Sequence, residues 1–521
     1  MKNNRSTLIL LLTVLLGVAA CVLLLWITAP YGVGVNSDSL SYIGAAKSLL
    51  AGRGLTVRGT QMTHFPPVYP MVLAGVSLLT RDSVEAARLL NALLFGINAM
   101  LVAFAAYLAT ARKPLAAIGA AAFFLVSAPI LDIHAEAWSE PLFIGLVLTC
   151  LLFLSVHVAR PRWLMLVSSA VALGLATVTR YVGVALIPMA AVFLLVFREG
   201  AMRYRIRDAL VTLAVACAPL VVWLFGAAHT GPLADRGFAV HPASLSQVRQ
   251  LVGAIYSYTL PVPGPDRLKL AVVGLGVACG IVLLVAFGKS RKERLNAMDP
   301  RAPAALLPVL CVLFSSAYVL FLFLSISFVD ASTPADARIL SPVFILLLLA
   351  VISLVWSGSG ALRSWKVRLG FGLLLPMLFA SNALRAVSLA VEIRREGNDA
   401  SYAGLSGRDS ECLAFLKSLP DSVRVHTNGF ATLRLLTHRE TVFMVPRKTD
   451  PYTLQPNRSF KEEVEAMRRD CRDNRAVLVY LTAVHRPHLL TQVEAESFCS
   501  LPVLRRLTDA TVYGGESVFG Q

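Results

Sequence analysis

The residues of this chain best placed to do chemistry are carboxylates and arginines that fall at the ends of long apolar runs. The first such run, about 6–29, ends at Pro30 and leads straight into Asn36-Ser37-Asp38-Ser39-Leu40-Ser41-Tyr42. Two further sets follow: Asp132, Glu136 and Glu140 ahead of one apolar run, and Asp330, Asp336 and Arg338 ahead of another. Arg180 sits between two short runs. Charge at a membrane face is expensive to place and marks a functional site by default. A carboxylate there offers a proton acceptor, and an arginine offers a planar fork suited to anionic oxygens. The three sets are placed to meet in one cavity.

Composition gives the class of frame that must hold them. Of 521 residues, 56% are hydrophobic and 15% charged, with a mean hydropathy of +0.67, the balance of an integral membrane protein. Runs long enough to cross a bilayer fall near 7–29, 86–109, 115–131, 140–157, 163–179, 181–197, 209–228, 270–287, 303–328, 339–356 and 369–390. They give a polytopic α-helical protein of about eleven transmembrane helices. The two short pieces that meet at Arg180-Tyr181 read either as two helices with a tight turn or as one broken helix. Lys2 and Arg5 before the first run also suit a cleaved signal peptide. The run is long for that, however, and Pro30-Tyr31-Gly32 is a poor cleavage site, which favours an uncleaved anchor.

Basic residues orient the frame. Lys2/Arg5, Arg112/Lys113, Arg160/Arg162, Arg198/Arg203/Arg205/Arg207, Lys289/Arg291/Lys292/Arg294/Arg301 and Arg363/Lys366/Arg368 fall in alternate loops. The positive-inside rule makes those loops and the amino terminus cytoplasmic in a multi-pass plasma (inner) membrane protein. An odd number of spans then leaves everything after about Val391 outside. The chain divides accordingly into a membrane part, 1–390, and a periplasmic or extracellular part, 391–521. The net charge of +17 is a topology signal and not a nucleic-acid footprint. Carboxylates lean the other way. In the membrane part only Glu199, Asp208, Glu293 and Asp299 fall in cytoplasmic loops, while Asp38, Asp82, Glu85, Asp132, Glu136, Glu140, Asp235, Asp266, Asp330 and Asp336 lie at or beyond the outer face. Acidic residues follow the topology rule only weakly, so this bias points to an outward-facing site.

The external part reads as a small α/β unit. Helical periods cover Glu411–Leu419, Phe430–Thr437 and Phe460–Arg472, and strand patterns cover Val423–Thr427, Thr441–Val445, Ala476–Leu481 and Ala510–Tyr513. Its His426, His438, His485 and His488 are scattered and read as surface or structural residues. Cys21, Cys150, Cys217, Cys279 and Cys311 lie in apolar spans as small hydrophobes, whereas Cys412, Cys471 and Cys499 leave room for one external disulfide. No CxxC, HExxH, Walker or dinucleotide motif occurs, which disfavours ATP-driven transport.

The membrane part carries an ordered set of short motifs. They are Asn36-Ser37-Asp38-Ser39 with Tyr42 and Ala45, Leu50-Ala51-Gly52-Arg53-Gly54, Phe65-Pro66-Pro67-Val68-Tyr69-Pro70, Trp138-Ser139-Glu140-Pro141-Leu142-Phe143, Thr179-Arg180-Tyr181 with Leu186-Ile187-Pro188, and Asp336-Ala337-Arg338-Ile339-Leu340-Ser341-Pro342. In this order, across about 1–390, they resemble glycosyltransferases of the GT-C fold. The likeness is nearest to bacterial members akin to glycosyltransferase family 39, the protein mannosyltransferase and aminoarabinose transferase relatives. One departure stands out: those relatives often carry a second acidic residue beside the first-loop aspartate or an aspartate in the second loop, and here Ser37 precedes Asp38 while the second loop offers Asp132, Glu136 and Glu140.

The resemblance implies inverting transfer of a sugar from a polyprenyl-phosphate carrier to a lipid, glycan or protein acceptor at the outer face. Such a transfer needs a carboxylate to take the acceptor's proton and cations to stabilise the departing phosphate. On that reading Asp38 is the base, with Glu140 or Glu136 assisting. Arg180 and Arg338 bind the donor phosphate, with Arg53 and Lys47 behind them, and His64, Tyr69, His134 and Asp336 are substrate contacts. No cofactor is named by the pattern; a divalent cation held by Asp132 and Glu136 beside a phosphate stays open.

Each assignment has a structural alternative. Asp38 would serve as N-cap to a helix starting near Ser39. Glu140 suits a helix dipole, Arg180 a snorkelling position, and Asp336 with Arg338 a local ion pair. A lipid or sugar transporter or flippase is the competing function, although the chain shows no convincing internal repeat and its charges gather at one face, not the bilayer midplane.

Overall fold

In the computed structural model, described residues are 2–515 except 58–59, 231–237, 243, 275–302, 357–364, 399–409, 438, 440, 451, 483, 485–487 and 500. Most of the expected span at 270–287, the basic loop from Lys289 to Arg301 with Glu293 and Asp299, and Arg363, Asp235, Cys279, His438 and His485 lie outside them.

Ten of the expected apolar segments are helices: Lys2–Ile27 (α1), Ser83–Ala109 (α4), the pair Pro114–Val126 (α5) and Ala128–Ala135 (α6), Glu140–Ala159 (α7), Trp163–Thr177 (α8), Leu186–Phe197 (α9), Met202–Thr230 (α10), Pro303–Phe328 (α12), Ala337–Trp356 (α13) and Trp365–Glu396 (α14). Ser37–Leu50 (α2), Val68–Thr80 (α3) and Leu245–Thr259 (α11) are helices that the run of spans did not include. Among the described residues, six helices are long and apolar enough to cross a membrane, or seven if the bent pair is one span. The count falls below eleven because Leu11–Ile27, Trp163–Thr177 and Tyr181–Phe197 are apolar but short, and because most of the expected span at 270–287 lies outside the described residues. The expected span 115–131 is not straight. It bends by 63° at Ser127, where Pro129 cannot donate the backbone hydrogen bond that would continue the helix.

The short pieces beside Arg180 are two helices and a one-turn 3-10 segment, Tyr181–Ala185. The start of α8 and the end of α9 return to the same carboxylate: Asp208 binds His157 and Arg198, and His157 also meets the Arg162 carbonyl. The chain therefore doubles back at Arg180.

Helix α4 runs through the centre, packed against α1, α3, α5 and α7. Its buried face is rich in alanine, which lets neighbouring backbones approach closely where lipid supplies no hydrophobic drive. The closest approach is at Gly96, where a Cβ would stand 2.4 Å from the Gly17 carbonyl oxygen of α1. Two buried asparagines interrupt that apolar face: Asn91 serves the non-helical stretch between α6 and α7, and Asn98 the first turn of α7. Asn91 donates to the Glu136 carbonyl, and Asn98 donates to the Pro141 carbonyl at 2.8 Å. Irregular backbone at membrane depth persists only when such partners satisfy it.

Residues 410–515 build a five-stranded sheet with helices beside it. The strand order is Val442–Met444, Arg424–Thr427, Ala476–Leu481, Ala510–Tyr513, Val503–Arg506, parallel over the first three and antiparallel over the last three. The helix before it continues to Glu396, past the 390/391 division. Cys412 and Cys471 lie in separate apolar clusters and no disulfide joins the two; the Cys499 side chain lies outside the described residues.

Candidate active site

The first element of the site is α2, and its start is fixed by Asn36. The Asn36 side chain accepts from the backbone N–H of Asp38 at 3.0 Å and of Ser39 at 3.2 Å. The cap thus belongs to Asn36, and the Asp38 carboxylate is left to face a cavity.

The second element is the start of α7. Glu140 is its first residue and is wholly buried, a position that would be ruinous for an unpaired carboxylate. Its Oε1 takes Arg180 Nη1 at 2.5 Å and Arg338 Nε at 2.5 Å. Arg338 then reaches onward, with Nη2 2.7 Å from Asp38 Oδ2. The Trp138 ring lies 4.1 Å from the same guanidinium, so Arg338 is held by two carboxylates and an aromatic face at once. Arg180 also donates to the Ser139 hydroxyl at 3.3 Å, which meets the Tyr42 hydroxyl at 3.2 Å.

The third element is the start of α13. Asp336 accepts from the Ile339 N–H at 3.0 Å and so caps the helix that carries Arg338. Tyr258 and Tyr318 donate to the carbonyls of Ala337 and Ile339, each at 2.7 Å. Three segments far apart in sequence therefore fix one arginine.

These groups bound a cavity of about 270 Å³ whose walls include Asp38, Tyr42, His64, Arg180, Tyr318, Asp330 and Arg338. The exposures differ in a telling way: the side chain of Asp38 is 29% accessible, that of Arg338 16%, and that of Glu140 1%. Asp38 and the arginines are presented to whatever enters, and Glu140 supports them from behind.

The remaining sequence candidates scatter. Lys47 and Arg53 are exposed, on the last turn of α2 and the turn after it, and neither lines the cavity. Tyr69 is buried beneath Tyr42, with ring centroids 5.0 Å apart, and supports the wall without reaching the interior. His134 belongs to the core. One ring nitrogen lies 2.7 Å from the Ile130 carbonyl and the other 3.2 Å from Asn98, and its ring packs on Phe95 and Phe124. A substrate contact does not fit that placement. Glu136 is buried, and neither of its carboxylate oxygens has a hydrogen-bond partner among the described residues. It presses on Gly34, where a Cβ would stand 2.0 Å from Oε1, and it does not line the cavity. Asp132 accepts from Asn398 at 3.0 Å. Among the described residues no group of three or more His, Cys, Asp or Glu is arranged to hold a metal ion.

Several contributors escaped the sequence reading. Asn91 and Asn98, seven apart on one face of an apolar helix, are a legible signal. Trp138 lay inside a quoted motif, but its ring contact with Arg338 depends on the fold. Asp330, by contrast, was named from the sequence with Asp336 and Arg338; its Oδ1 accepts from the Ser332 N–H at 3.0 Å and hydroxyl at 2.6 Å, and it adds a second carboxylate to the cavity wall.

Fold and site together define a GT-C-type membrane protein. The family model for dolichyl-phosphate-mannose-protein mannosyltransferase matches residues 64–223. Among solved structures, the chain is similar to ArnT from Cupriavidus metallidurans bound to undecaprenyl phosphate, with a TM-score of 0.58, 16% identity, and coverage of 98% of this chain and 99% of that one. It is also similar to the mycobacterial arabinofuranosyltransferase AftD, with a TM-score of 0.51 and 14% identity over 96% of this chain but 39% of AftD. No curated protein shows significant sequence similarity to it. The chain has the GT-C fold, and its resemblance to family 39 glycosyltransferases using polyprenyl-phosphate sugars holds.

Proposed function

We propose that this protein is an inverting glycosyltransferase that moves a sugar from a polyprenyl-phosphate carrier to an acceptor at the outer membrane face. The observation that carries the reading is the chain Arg180–Glu140–Arg338–Asp38 at the cavity wall, with both guanidiniums anchored on one buried carboxylate oxygen. Two preorganised cations are what a departing phosphate requires, and a partly exposed carboxylate beside them is what the nucleophile requires. The undecaprenyl phosphate bound in the ArnT structure and the mannosyl-phosphate donor named by the family support that donor class for this chain.

In the reaction, the donor phosphate enters between Arg180 and Arg338 and competes with Asp38 for the Arg338 fork. Asp38 then accepts the proton of the acceptor's hydroxyl or amine as its lone pair attacks the anomeric carbon. The bond from that carbon to the phosphate oxygen breaks, and its electron pair leaves with the phosphate, where the two arginines neutralise it. Until a donor arrives, the Arg338 contact keeps Asp38 occupied, which suppresses wasteful activation of water. The amino terminus is cytoplasmic and the tail external, since the basic loops alternate and His157, Arg162, Arg198 and Arg207 gather with Asp208 at the junction of α7, α8, α9 and α10.

The test is direct. Purified protein is given undecaprenyl-phosphate sugars and a panel of lipid A, oligosaccharide and serine/threonine peptide, and products are scored for transfer and anomeric inversion. Transfer with inversion supports the reading. Movement of donor across a liposome membrane without any glycoside formed would replace it with a transporter.

A further inference from the structure

The tail reaches the cavity through one loop. Residues 448–450 and 455–457 pair back to back, with Asp450 N–H donating to the Gln455 carbonyl at 2.8 Å and Asn457 N–H to the Lys448 carbonyl at 2.9 Å. At the tip, Asp450 Oδ1 accepts from the N–H groups of Tyr452 and Thr453, each at 2.8 Å, so the turn is built and not improvised. Leu454 holds a left-handed φ of 58°, a conformation that a branched side chain adopts only when its surroundings impose it.

The fold delivers Tyr452 to the rim. Its carbonyl accepts from Ala331 N–H at 2.9 Å, inside the segment whose Asp330, Ser332 and Thr333 line the cavity. From the other side Gln247 donates to the Ala331 and Thr333 carbonyls at 3.0 and 3.3 Å, which clamps that segment in place. The Tyr452 ring lies 5.4 Å from the ring of His64, another wall residue. Tyr452 and His64 therefore form an aromatic pair at the mouth, one ring from the membrane part and the other from the tail.

We propose that Tyr452 is a positioning residue for the acceptor, contributed to the membrane cavity by the tail. This rests on the glycosyl-transfer reading above. The arginines that fit a phosphate are tied to Glu140 at the inner wall, and the lipid chain of a donor lies in the bilayer. A group arriving from outside the membrane meets the Tyr452–His64 pair first. The two rings narrow the path and set the angle at which the acceptor's hydroxyl or amine approaches Asp38.

Steady-state kinetics on the full chain test this, with an undecaprenyl-phosphate sugar and an acceptor from the panel above each varied in turn. Tyr452→Leu keeps the backbone bond to Ala331 and most of the bulk but loses the ring. It should raise acceptor KM roughly five- to tenfold and leave donor KM within about twofold. Tyr452→Phe should restore acceptor KM to near the wild-type value. A Tyr452→Leu protein with unchanged acceptor KM, or with donor KM raised equally, overturns the inference while transfer by wild type stands. Wild type that makes no glycoside with any pair overturns the glycosyl-transfer reading and this one with it. Should Tyr452→Leu fail to fold, His64→Ala serves in its place: a selective rise in acceptor KM supports the aromatic mouth, and no change removes it.

Discussion

Two buried ion clusters of this molecule use the same chemistry to different ends. One centres on Asp208, near the start of α10, where Oδ2 takes Arg198 Nε at 2.7 Å and His157 Nε2 at 3.2 Å while Oδ1 takes Arg207 Nη2 at 2.7 Å. The other centres on Glu140. Asp208 has both oxygens saturated and joins α7, α9 and α10, so it pins helices together. Glu140 instead gathers two arginines that continue into a cavity, where one of them meets the partly exposed Asp38. Burial and pairing are common to both; access is what separates a fastener from a site. A buried ion pair is poor evidence of function until something can reach one of its members.

The largest effect expected on this view is at Asp38. Asp38→Asn keeps size and hydrogen bonding but removes the proton acceptor, so turnover should fall by on the order of 10²–10⁴. Affinity for undecaprenyl phosphate, measured by titration, should change little or rise, because Arg338 is released. Near-normal turnover in this variant would erase the distinction between the two clusters as drawn.

Glu140→Gln and Asp208→Asn sharpen the contrast. Glu140→Gln takes away the carboxylate shared by Arg180 and Arg338, Asp208→Asn the one that pairs the buried Arg198, and each should cost about 3–5 kcal/mol of stability, read from the thermal midpoint in detergent. Only Glu140→Gln should also weaken donor binding and turnover, since its arginines face the cavity. For Asp208→Asn, the folded fraction should keep turnover within a few fold. Equal catalytic losses in both would mean that general loosening, and not the site, sets the rate.

A smaller effect is expected at Arg338→Lys. A lysine preserves the charge but loses the fork that touches Glu140 and Asp38 together, and it loses most of the contact with Trp138. Donor KM should rise roughly tenfold, the worth of one bidentate contact. A change confined to kcat would place Arg338 outside donor binding.

The sequence made some of this legible and hid the rest for physical reasons. Asp38 was readable because it follows a span directly, where a carboxylate is costly. The bend at Ser127 was readable in principle from Pro129. His134 misled: it stands beside Asp132 and Glu136 in the chain, yet the helix turns its ring into the core, where Asn98 waits on another element. Glu136 misled in the same way, four residues from Glu140 but on the far side of the wall. Trp138 meets Arg338 and Tyr452 meets His64 across hundreds of residues, and local pattern carries no trace of such pairings. In the tail, the edge strand Val503–Arg506 was missed because it is largely exposed and shows little apolar alternation.

The smallest effect separates the tail from the chemistry altogether. His426, on the second strand of the tail's sheet, is largely buried, and desolvation lowers its pKa to about 4 despite Asp470 nearby, with Arg424 opposing the charge. A histidine neutral in the fold and ordinary when unfolded contributes full stability above about 6.5. That contribution declines as pH falls toward 4, because the unfolded chain takes up the proton first. Unfolding of the tail, followed by protease susceptibility of the intact protein, should therefore become easier across that window. The slope should shrink in His426→Gln, which cannot be protonated there, while turnover of the folded protein stays within a few fold at neutral pH. A large loss of turnover in the folded His426→Gln protein would move part of the chemistry into the tail, and the contrast between fastener and site would have to be redrawn there.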